Sequence, residues 1–231
     1  MTKAPASRVY LVRHGAVSYF DEQGRPCDPR TVELTLEGRA QARATAGLLS
    51  AAKPQLVVCS GLVRTRQTAE ILTAGRALTI HDAPELREIR AGRLRDIAAS
   101  DRFRRIAHAY TEAGLLGARF MGGEPWVEFQ QRVLAAFEHW TGVAAGQDLL
   151  LVVHDAVIRV ILAHVCGVGL SGLAAFEQDP AALSILDYQA LPDGPAGYFI
   201  RAVNMTAYDW LRTEHRSTVM GRVCNSYLSD H

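Results

Sequence analysis

The chain has 231 residues, of which 48% are hydrophobic, and a formal net charge of +1, so it can bury one large α/β core. Its charges are scattered along the chain, and this excludes the basic patch or stripe that is typical of nucleic-acid-binding proteins. The most apolar stretch, residues 157–176, contains Arg159, His164 and three glycines. It therefore predicts a core helix followed by a loop, and no membrane span.

The amino-terminal segment and the cysteines indicate an intracellular protein. Residues 1–7 are short and polar, unlike a signal peptide. Cys27, Cys59, Cys166 and Cys224 are far apart and lack Cys-x-x-Cys spacing, which argues against a zinc site or a disulfide scaffold. We expect Cys59 and Cys166 to be small core residues, and we expect a cytoplasmic location and no cofactor.

Apolar runs alternate with helical patterns along the chain. In order, the patterns predict strand 8–12, helix 36–50, strand 56–59, helix 63–74, strand 77–81, helices 96–114 and 125–141, strand 148–153, helix 156–166, and strands 182–188 and 198–203. This alternation predicts one domain over residues 1–231, a three-layer α/β/α sandwich around a mostly parallel sheet. Residues 192–195, Pro-Asp-Gly-Pro, predict a turn between the last two strands.

Arg13-His14-Gly15 stands at the end of the first predicted strand. A neutral imidazole can attack a phosphorus atom, and a neighbouring guanidinium can hold phosphoryl oxygens in a bidentate manner. The carboxyl ends of strands are also where ligands bind in open α/β sheets. Taken alone, the tripeptide fits equally well a strand that ends in an exposed Arg-His pair.

Three later segments favour the chemical interpretation. Arg64 follows strand 56–59 at the start of a helix, and His154 follows strand 148–153 directly. Glu88 lies in a short connection ahead of a helical stretch. Two strand-end histidines, an arginine and a loop carboxylate are together the parts that a metal-free phosphoryl-transfer site needs.

These segments identify a family that the chain resembles over residues 8–208: the histidine phosphatase superfamily, also called phosphoglycerate mutase-like. The matching stretches are 13–15, Leu-Thr-Leu-Glu-Gly at 34–38 with Gln-Ala at 41–42, 60–69, Glu88 with Gly92, and His154 with 157–159. The resemblance implies that His14 is the nucleophile that becomes phosphohistidine. It further implies that Arg13, Arg64 and His154 bind the phosphoryl group and that Glu88 is the proton donor.

Elementary chemistry is consistent with these roles. Guanidinium groups supply positive charge to the equatorial oxygens, and they also hold a histidine, whose ordinary pKa is about 6.5, in its neutral form. An alcohol leaves poorly unless it is protonated, and a carboxyl group with a raised pKa can provide that proton. Glu85 and Glu124 are the other acids available for this role.

Two positions depart from the family pattern. Residues 16–20, Ala-Val-Ser-Tyr-Phe, lack the usual Glu-Thr and the downstream Asn that touches phosphate, and Ser18 and the loop amides are the candidate replacements. Asp155 stands where the family usually has Gly. We interpret Asp155 as the N-cap of helix 156–166.

Residues 93–122 correspond to the part of the chain that covers the active site in this family. They contain six arginines and the aromatic residues Phe103, Tyr110 and Phe120. The segment can be a cap that contacts an anionic or ring-bearing substrate, or a solvated helix face whose aromatic residues are core. Arg90, close to Glu88, is a stronger contact candidate than these arginines.

Residues 209–231 form a carboxy-terminal extension that is too apolar for a disordered tail. Trp210, Leu211, Val219 and Met220 are among its apolar residues. We expect it to pack against its own domain, the mouth of the pocket or a second subunit, and a homodimer is therefore one of the expected states.

The resemblance favours a metal-independent phosphatase that acts on a small phosphomonoester. A phosphoglycerate mutase is the first alternative, but mutases of this family carry a longer insertion than the 66 residues by which His154 follows Glu88. A noncatalytic phosphate-binding module is the second alternative, and the presence of a nucleophile, an acid and cationic side chains argues against it. The sequence does not indicate which ester is the substrate.

Overall fold

The computed structural model describes residues 7–189, 197–209 and 217–228. The predicted turn at 192–195 lies outside the described residues, and so do residues 210–216 and 229–231 of the carboxy-terminal extension, including Trp210 and Leu211.

Six strands and six α-helices are described. The strands are β1 Ser7–Arg13, β2 Leu56–Cys59, β3 Ile80–Asp82, β4 Leu149–Val153, β5 Leu183–Gln189 and β6 Gly197–Met205. The α-helices are α1 Leu36–Leu48, α2 Val63–Leu72, α3 Ala99–Ala107, α4 Trp126–Val143, α5 Asp155–Val165 and α6 Val219–Leu228. Short 3₁₀-helices occupy Pro84–Leu86, Leu94–Asp96, Phe120–Gly122 and Gly169–Ala175.

The strands form one sheet in the order β3-β2-β4-β1-β5-β6. Strands β3, β2, β4 and β1 run parallel to one another, whereas β5 pairs antiparallel with both β1 and β6. The predicted mixed α/β fold with a mostly parallel central sheet is therefore confirmed. Because β4 and β1 are central, the residues that follow them lie in the middle of the sheet edge.

Helices cover both faces of the sheet. Along β1 the buried side chains point alternately to the two faces of the sheet, as in any strand. Val9 and Leu11 belong to a hydrophobic cluster with α4 and α5, and Tyr10 and Val12 belong to a second cluster with residues of α1 and α2. The sheet therefore has a core on each side, which is the three-layer arrangement.

The predicted helix 96–114 is wrong in extent. The described helix α3 covers only Ala99–Ala107, with a 3₁₀-helix before it and turns after it. The chain bends after α3, and Tyr110 and Ala113 become buried. Gly114 then lies so close to Ser171 that a Cβ would be 2.5 Å from Ser171 Oγ.

Two smaller predictions are also corrected. The third strand is Ile80–Asp82 and not 77–81, because the preceding segment is held by Arg76, which donates to the carbonyl oxygens of Ala52 at 2.8 Å and Leu49 at 3.0 Å. Cys59 is buried as expected, but Cys166 is exposed because it lies just beyond the end of α5.

The described part of the carboxy-terminal extension packs on its own domain. Val219, Met220 and Cys224 of α6 are buried, and α6 lies against α3. The Val219 N–H donates to the carboxylate of Glu177 at 3.0 Å. Within the described ranges, no helix has the length and apolar character needed to cross a membrane.

Candidate active site

Three parallel strands end side by side and deliver three polar residues to one place. Arg13 pairs with Val153, and Cys59 pairs with Val152. The residues that follow these three strands, His14, His154 and Ser60, are therefore neighbours at the carboxyl edge of the sheet. The ring centroids of His14 and His154 are 5.2 Å apart, and the ring planes are inclined by 68°.

His14 is buried and held in one tautomer. Its Nδ1 lies 2.8 Å from the Gly15 carbonyl oxygen, and Arg64 Nε–H donates to its Nε2 at 3.2 Å. A carbonyl oxygen only accepts and a guanidinium only donates, so Nδ1 carries the proton and Nε2 carries the lone pair. Burial and then the charges of Arg64 and Arg13 hold the pKa of His14 well below its usual value. His14 is thus a neutral imidazole whose lone pair lies at Nε2, where it accepts from Arg64.

Arg64 is the centre of the polar cluster. Besides its bond to His14, it places Nη2 3.4 Å from His154 Nδ1 and donates from Nη1 to the Pro29 carbonyl oxygen at 2.6 Å. Arg64 is buried in the first turn of α2, a helix that packs against β2 and β4. Its guanidinium thus lies between the two histidines, where it can meet an anion that reaches either ring.

His154 is oriented by a chain of hydroxyl groups. Its Nε2 lies 2.8 Å from Ser60 Oγ, which lies 3.0 Å from Thr65 Oγ1, and Thr65 donates to the Leu62 carbonyl oxygen at 2.8 Å. Since the Thr65 proton goes to Leu62, Ser60 donates to Thr65 and accepts from His154 Nε2–H. The His154 lone pair is therefore at Nδ1, facing Arg64. Burial and then the charge of Arg64 hold the pKa of His154 well below its usual value.

Arg13 supplies a buried donor, its Nε–H. Its Nη1 donates to the Gln178 carbonyl oxygen at 2.6 Å. Its Nε is buried and, among the residues that the structure describes, has no hydrogen-bond partner. Buried N–H groups are nearly always paired in native proteins, and an exception is typical of a group that waits for a ligand. An anion at this position would satisfy it.

The loop after His14 depends on a close glycine contact. A Cβ on Gly15 would lie 2.4 Å from Gly38 O, and a Cβ on Gly38 would lie 2.1 Å from Ala16 O. The two backbones can approach this closely because neither residue has a side chain. Thr68 Oγ1 also accepts the Gly15 N–H at 3.1 Å, so helices α1 and α2 together fix the backbone beside the His14 ring.

Glu88 enters the site from irregular backbone. Its Oε1 accepts the Ile89 N–H at 3.0 Å, and its Oε2 accepts the Ala156 N–H at 3.3 Å, in the first turn of α5. Burial of the carboxyl group and then the negative charge of Asp155 raise the pKa of Glu88 to about 7. A carboxyl group with this pKa can both donate and accept a proton near neutral pH.

Glu124 and Arg132 hold the backbone around Glu88. Arg132 donates to Glu124 at 2.8 and 3.0 Å and also to the carbonyl oxygens of Glu85, Arg87 and Glu88. Despite its burial, Glu124 has a lowered pKa, because Arg132 and the Arg90 N–H hydrogen-bond to its carboxylate. Glu124 is therefore an anion that positions the segment, and Glu85 is exposed. Burial thus raises the pKa of Glu88, whereas hydrogen bonds lower the pKa of Glu124.

The interpretation of Asp155 as an N-cap is wrong. His154 occupies the cap position of α5, and Asp155 is the first helical residue. Its carboxylate accepts from Arg159 Nε at 2.6 Å and from the Tyr110 hydroxyl at 3.1 Å. The side chain thus bonds to a buried arginine and to an aromatic residue of segment 93–122, and it does not cap the helix.

Other sequence candidates bond to groups outside this cluster. Ser18 is exposed and bonds to Phe20 within its own turn, so it does not take the place of the missing Asn. Arg90 is largely exposed and forms an ion pair with Glu124 at 3.4 Å. In segment 93–122, Tyr110 and Phe120 are core residues and most of the arginines face solvent. A cap over the site stays a prediction.

Sequence reasoning missed the supporting residues: Thr65, Thr68, Arg132 and Gln178. The two threonines lie in the segment 60–69 that matched the family, where their spacing from Arg64 was the available signal. Arg132 and Gln178 are far from the motifs in sequence, and nothing in their local context indicates the contact.

Comparison with known families gives a consistent result. The family model described as histidine phosphatase superfamily (branch 1) matches residues 9–192. The curated protein named "Probable phosphoglycerate mutase GpmB" from Yersinia pestis (strain Pestoides F) is 30% identical over 210 residues, which are 87% of this chain and 94% of that protein.

Solved structures show the same architecture. The alpha-ribazole phosphatase from Shigella flexneri superposes with a TM-score of 0.66 at 26% identity, over 85% of this chain and 96% of that chain. A mycobacterial glucosyl-3-phosphoglycerate phosphatase superposes with a TM-score of 0.67 at 22% identity, over 86% and 99% of the two chains. The second similarity is one of fold.

Proposed function

The chain belongs to the histidine phosphatase superfamily, and from this premise we propose that it is a phosphoric monoester hydrolase that acts on a small phosphomonoester. The reaction passes through a phosphohistidine on His14 and needs no metal or other cofactor. The observation that carries the proposal is the state of His14: a neutral ring with its proton on Nδ1, its lone pair on Nε2, and Arg64 and His154 beside it.

In the first step, His14 Nε2 attacks phosphorus and the bond to the alcohol oxygen breaks. The Nδ1–H bond to the Gly15 carbonyl stabilises the positive charge that the ring gains. The guanidinium N–H groups of Arg64, which contact the histidines in the free protein, turn to the phosphoryl oxygens. The buried Arg13 Nε, which has no hydrogen-bond partner within the described ranges, is a further donor to those oxygens.

His154 donates to the same phosphoryl group only if Nδ1 carries a proton. In the free protein that nitrogen carries a lone pair, since Nε2–H is bound to Ser60. A bound phosphate dianion favours protonation of the ring, because an adjacent opposite charge raises the pKa of a histidine. We therefore expect substrate binding to be accompanied by proton uptake at His154.

Glu88 protonates the leaving alcohol in this step. Its pKa of about 7 keeps a large fraction of the acid form at neutral pH, which suits a general acid. In the second step the resulting carboxylate takes a proton from water as the water attacks phosphorus. Inorganic phosphate leaves, and His14 and Glu88 return to their starting states.

The proposal is tested by trapping the intermediate. The purified protein is first screened against a panel of phosphate esters, and the best substrate, carrying labelled phosphorus, is mixed with the enzyme and quenched rapidly. We expect a protein-bound label that is labile in acid and stable in alkali. His14→Ala should lose it, and His164→Ala, at an exposed position on α5, should keep it. A label that persists in His14→Ala would refute the proposal.

A phosphoglycerate mutase is the second candidate, favoured by the name of the Yersinia relative. A mutase returns the phosphoryl group from histidine to bound product, whereas a hydrolase transfers it to water. Incubation with 3-phosphoglycerate and analysis by phosphorus NMR separates the two. Rapid formation of 2-phosphoglycerate with little inorganic phosphate would favour the mutase, and steady release of phosphate from the best ester of the panel favours the hydrolase.

A further inference from the structure

Asp155 is a buried carboxylate with no role in the reaction as described. Only 4% of its side chain is exposed. Arg159 Nε binds one carboxylate oxygen at 2.6 Å, and the Tyr110 hydroxyl binds the other at 3.1 Å. The Arg159 guanidinium also stacks on the Tyr110 ring at 4.1 Å. This arrangement fixes the carboxylate in one orientation.

Asp155 is the chain neighbour of the residue whose N–H binds the Glu88 carboxyl group. Glu88 Oε2 accepts the N–H of Ala156, the residue that follows Asp155 in the first turn of α5. Two acidic side chains thus lie at the start of one helix: Asp155 belongs to it, and Glu88 is hydrogen-bonded to it. An acidic neighbour in a low-dielectric site disfavours ionisation of the second acid.

Arg159 does not cancel this charge completely. Its Nη2 donates to Glu177 at 3.0 Å, and its Nη1 donates to the Leu173 carbonyl oxygen at 3.0 Å. One arginine is therefore shared by two carboxylates, Asp155 and Glu177, and the group carries one excess negative charge. Glu177 is partly exposed, whereas Asp155 is enclosed. Water therefore screens the negative charge of Asp155 less than that of Glu177.

The other charged and titratable groups around Glu88 act in different directions. Arg13 on β1 stabilises the carboxylate, and it is the cation that opposes Asp155 most directly. Arg132 on α4 donates to the Glu88 backbone carbonyl and is neutralised by Glu124. Tyr110 is buried with a pKa well above its usual value, so it stays neutral at working pH.

We propose that Asp155 is a positioning residue that keeps Glu88 protonated, and thereby makes it a general acid at neutral pH. The inference rests on the proposed function for its catalytic consequence, and on the contacts of Asp155 for its physical basis. Arg159 Nε, at 2.6 Å, keeps the carboxylate in the orientation from which its charge acts on Glu88.

The direction in which the pH profile should shift follows from the charge of Asp155. A general acid works only when protonated, so hydrolysis of an alkyl phosphate should decline as the pH rises through the pKa of Glu88. Asp155→Asn removes the negative charge but can keep both hydrogen bonds, with its oxygen facing Arg159 and its amide facing the Tyr110 oxygen. The pKa of Glu88 should fall, and the decline should begin at a lower pH.

The experiment compares pH profiles of kcat/KM in the wild type, Asp155→Asn and Tyr110→Phe. With glycerol 2-phosphate at pH 8, Asp155→Asn should lose on the order of threefold to tenfold relative to the wild type, and little at pH 6. With 4-nitrophenyl phosphate, whose phenol leaves without help, the formation step should not change. Tyr110→Phe keeps the charge and is the matched control, and its decline should not move to lower pH.

A second measurement follows Glu88 itself and needs no turnover. Infrared difference spectra recorded against pH should contain a protonated carboxyl band that is lost near neutral pH in the wild type, lost at lower pH in Asp155→Asn, and absent in Glu88→Gln. A band that titrates identically in the wild type and Asp155→Asn would overturn the inference, even if the protein hydrolyses none of the esters. Absence of any trapped phosphohistidine would instead overturn the proposed function.

Discussion

The phosphate-facing cluster and the acid-bearing segment are built in different ways. The cluster, defined by His14, Arg64 and His154, rests on regular elements: two central strands and helix α2. The acid-bearing segment, residues 83–124 with Glu88, contains 3₁₀-helices, turns and one short α-helix. The cluster is fixed by the sheet register, whereas Glu88 is fixed by side-chain bonds from distant residues. Changes in the cluster should therefore affect chemistry first, and changes around Glu88 should affect both stability and leaving-group dependence.

The largest effect is expected in the cluster itself. Arg64→Ala removes the guanidinium that contacts both histidines, and loss of one transition-state donor costs on the order of 10²-fold or more in kcat. Arg66→Ala is the matched control, two residues along the same helix in an ion pair with Asp82, and it should change kcat little. The check is steady-state kinetics with and without a strong chelator. Activity that vanishes with chelator and returns with magnesium or zinc would contradict a cluster that works without a metal.

The next effect is expected in the acid-bearing segment. Arg132→Met removes the hydrogen bonds to four residues at once and leaves the buried Glu124 carboxylate without its cation. Loss of one partner of a buried pair should lower the free energy of unfolding by roughly 3 kcal/mol. Arg104→Met breaks the exposed Arg104–Glu112 pair in the same segment and should cost less than about 1 kcal/mol. Urea unfolding measures the free energy of unfolding of both variants. Equal losses would show that Arg132 does not stabilise this segment more than an exposed arginine does.

These two regions also differ in how far the sequence predicts them. The apolar runs place His14, Arg64 and His154 at the ends of strands or the start of a helix, and parallel strands bring such ends together. The acid-bearing segment has no comparable pattern. The predicted helix 96–114 failed there because burial of Tyr110 and Ala113 outweighs local helix preference.

The roles of charged residues were the hardest to predict. Asp155 follows His154 at a helix start, and the sequence alone favours a cap, yet its partners are Arg159 and Tyr110. Arg132 and Glu124 reach Glu88 only in the folded chain. Contacts of this kind depend on long-range geometry, which neither periodicity nor local propensity reports.

A smaller effect, on the free energy of unfolding, is expected to differ between two glycines of helix α1. Gly38→Ala places a Cβ 2.1 Å from the Ala16 carbonyl oxygen, so the loop beside His14 must shift at a cost of about 2 kcal/mol, with a parallel loss of activity. Gly47→Ala, where a Cβ meets nothing within 4 Å, should raise the free energy of unfolding by up to about 1 kcal/mol. Thermal unfolding measures both. The same sign for both variants would contradict the close contact as the reason for Gly38.

The most direct test of the division between cluster and acid is the behaviour of Glu88→Gln in single-turnover experiments. With 4-nitrophenyl phosphate the cluster should form phosphohistidine at close to the wild-type rate, because that phenol needs no proton, and a burst should precede slow turnover as water attack loses its base. With an alkyl phosphate, formation itself should become very slow. Equal losses in the formation step for both esters would show that Glu88 only shapes the pocket.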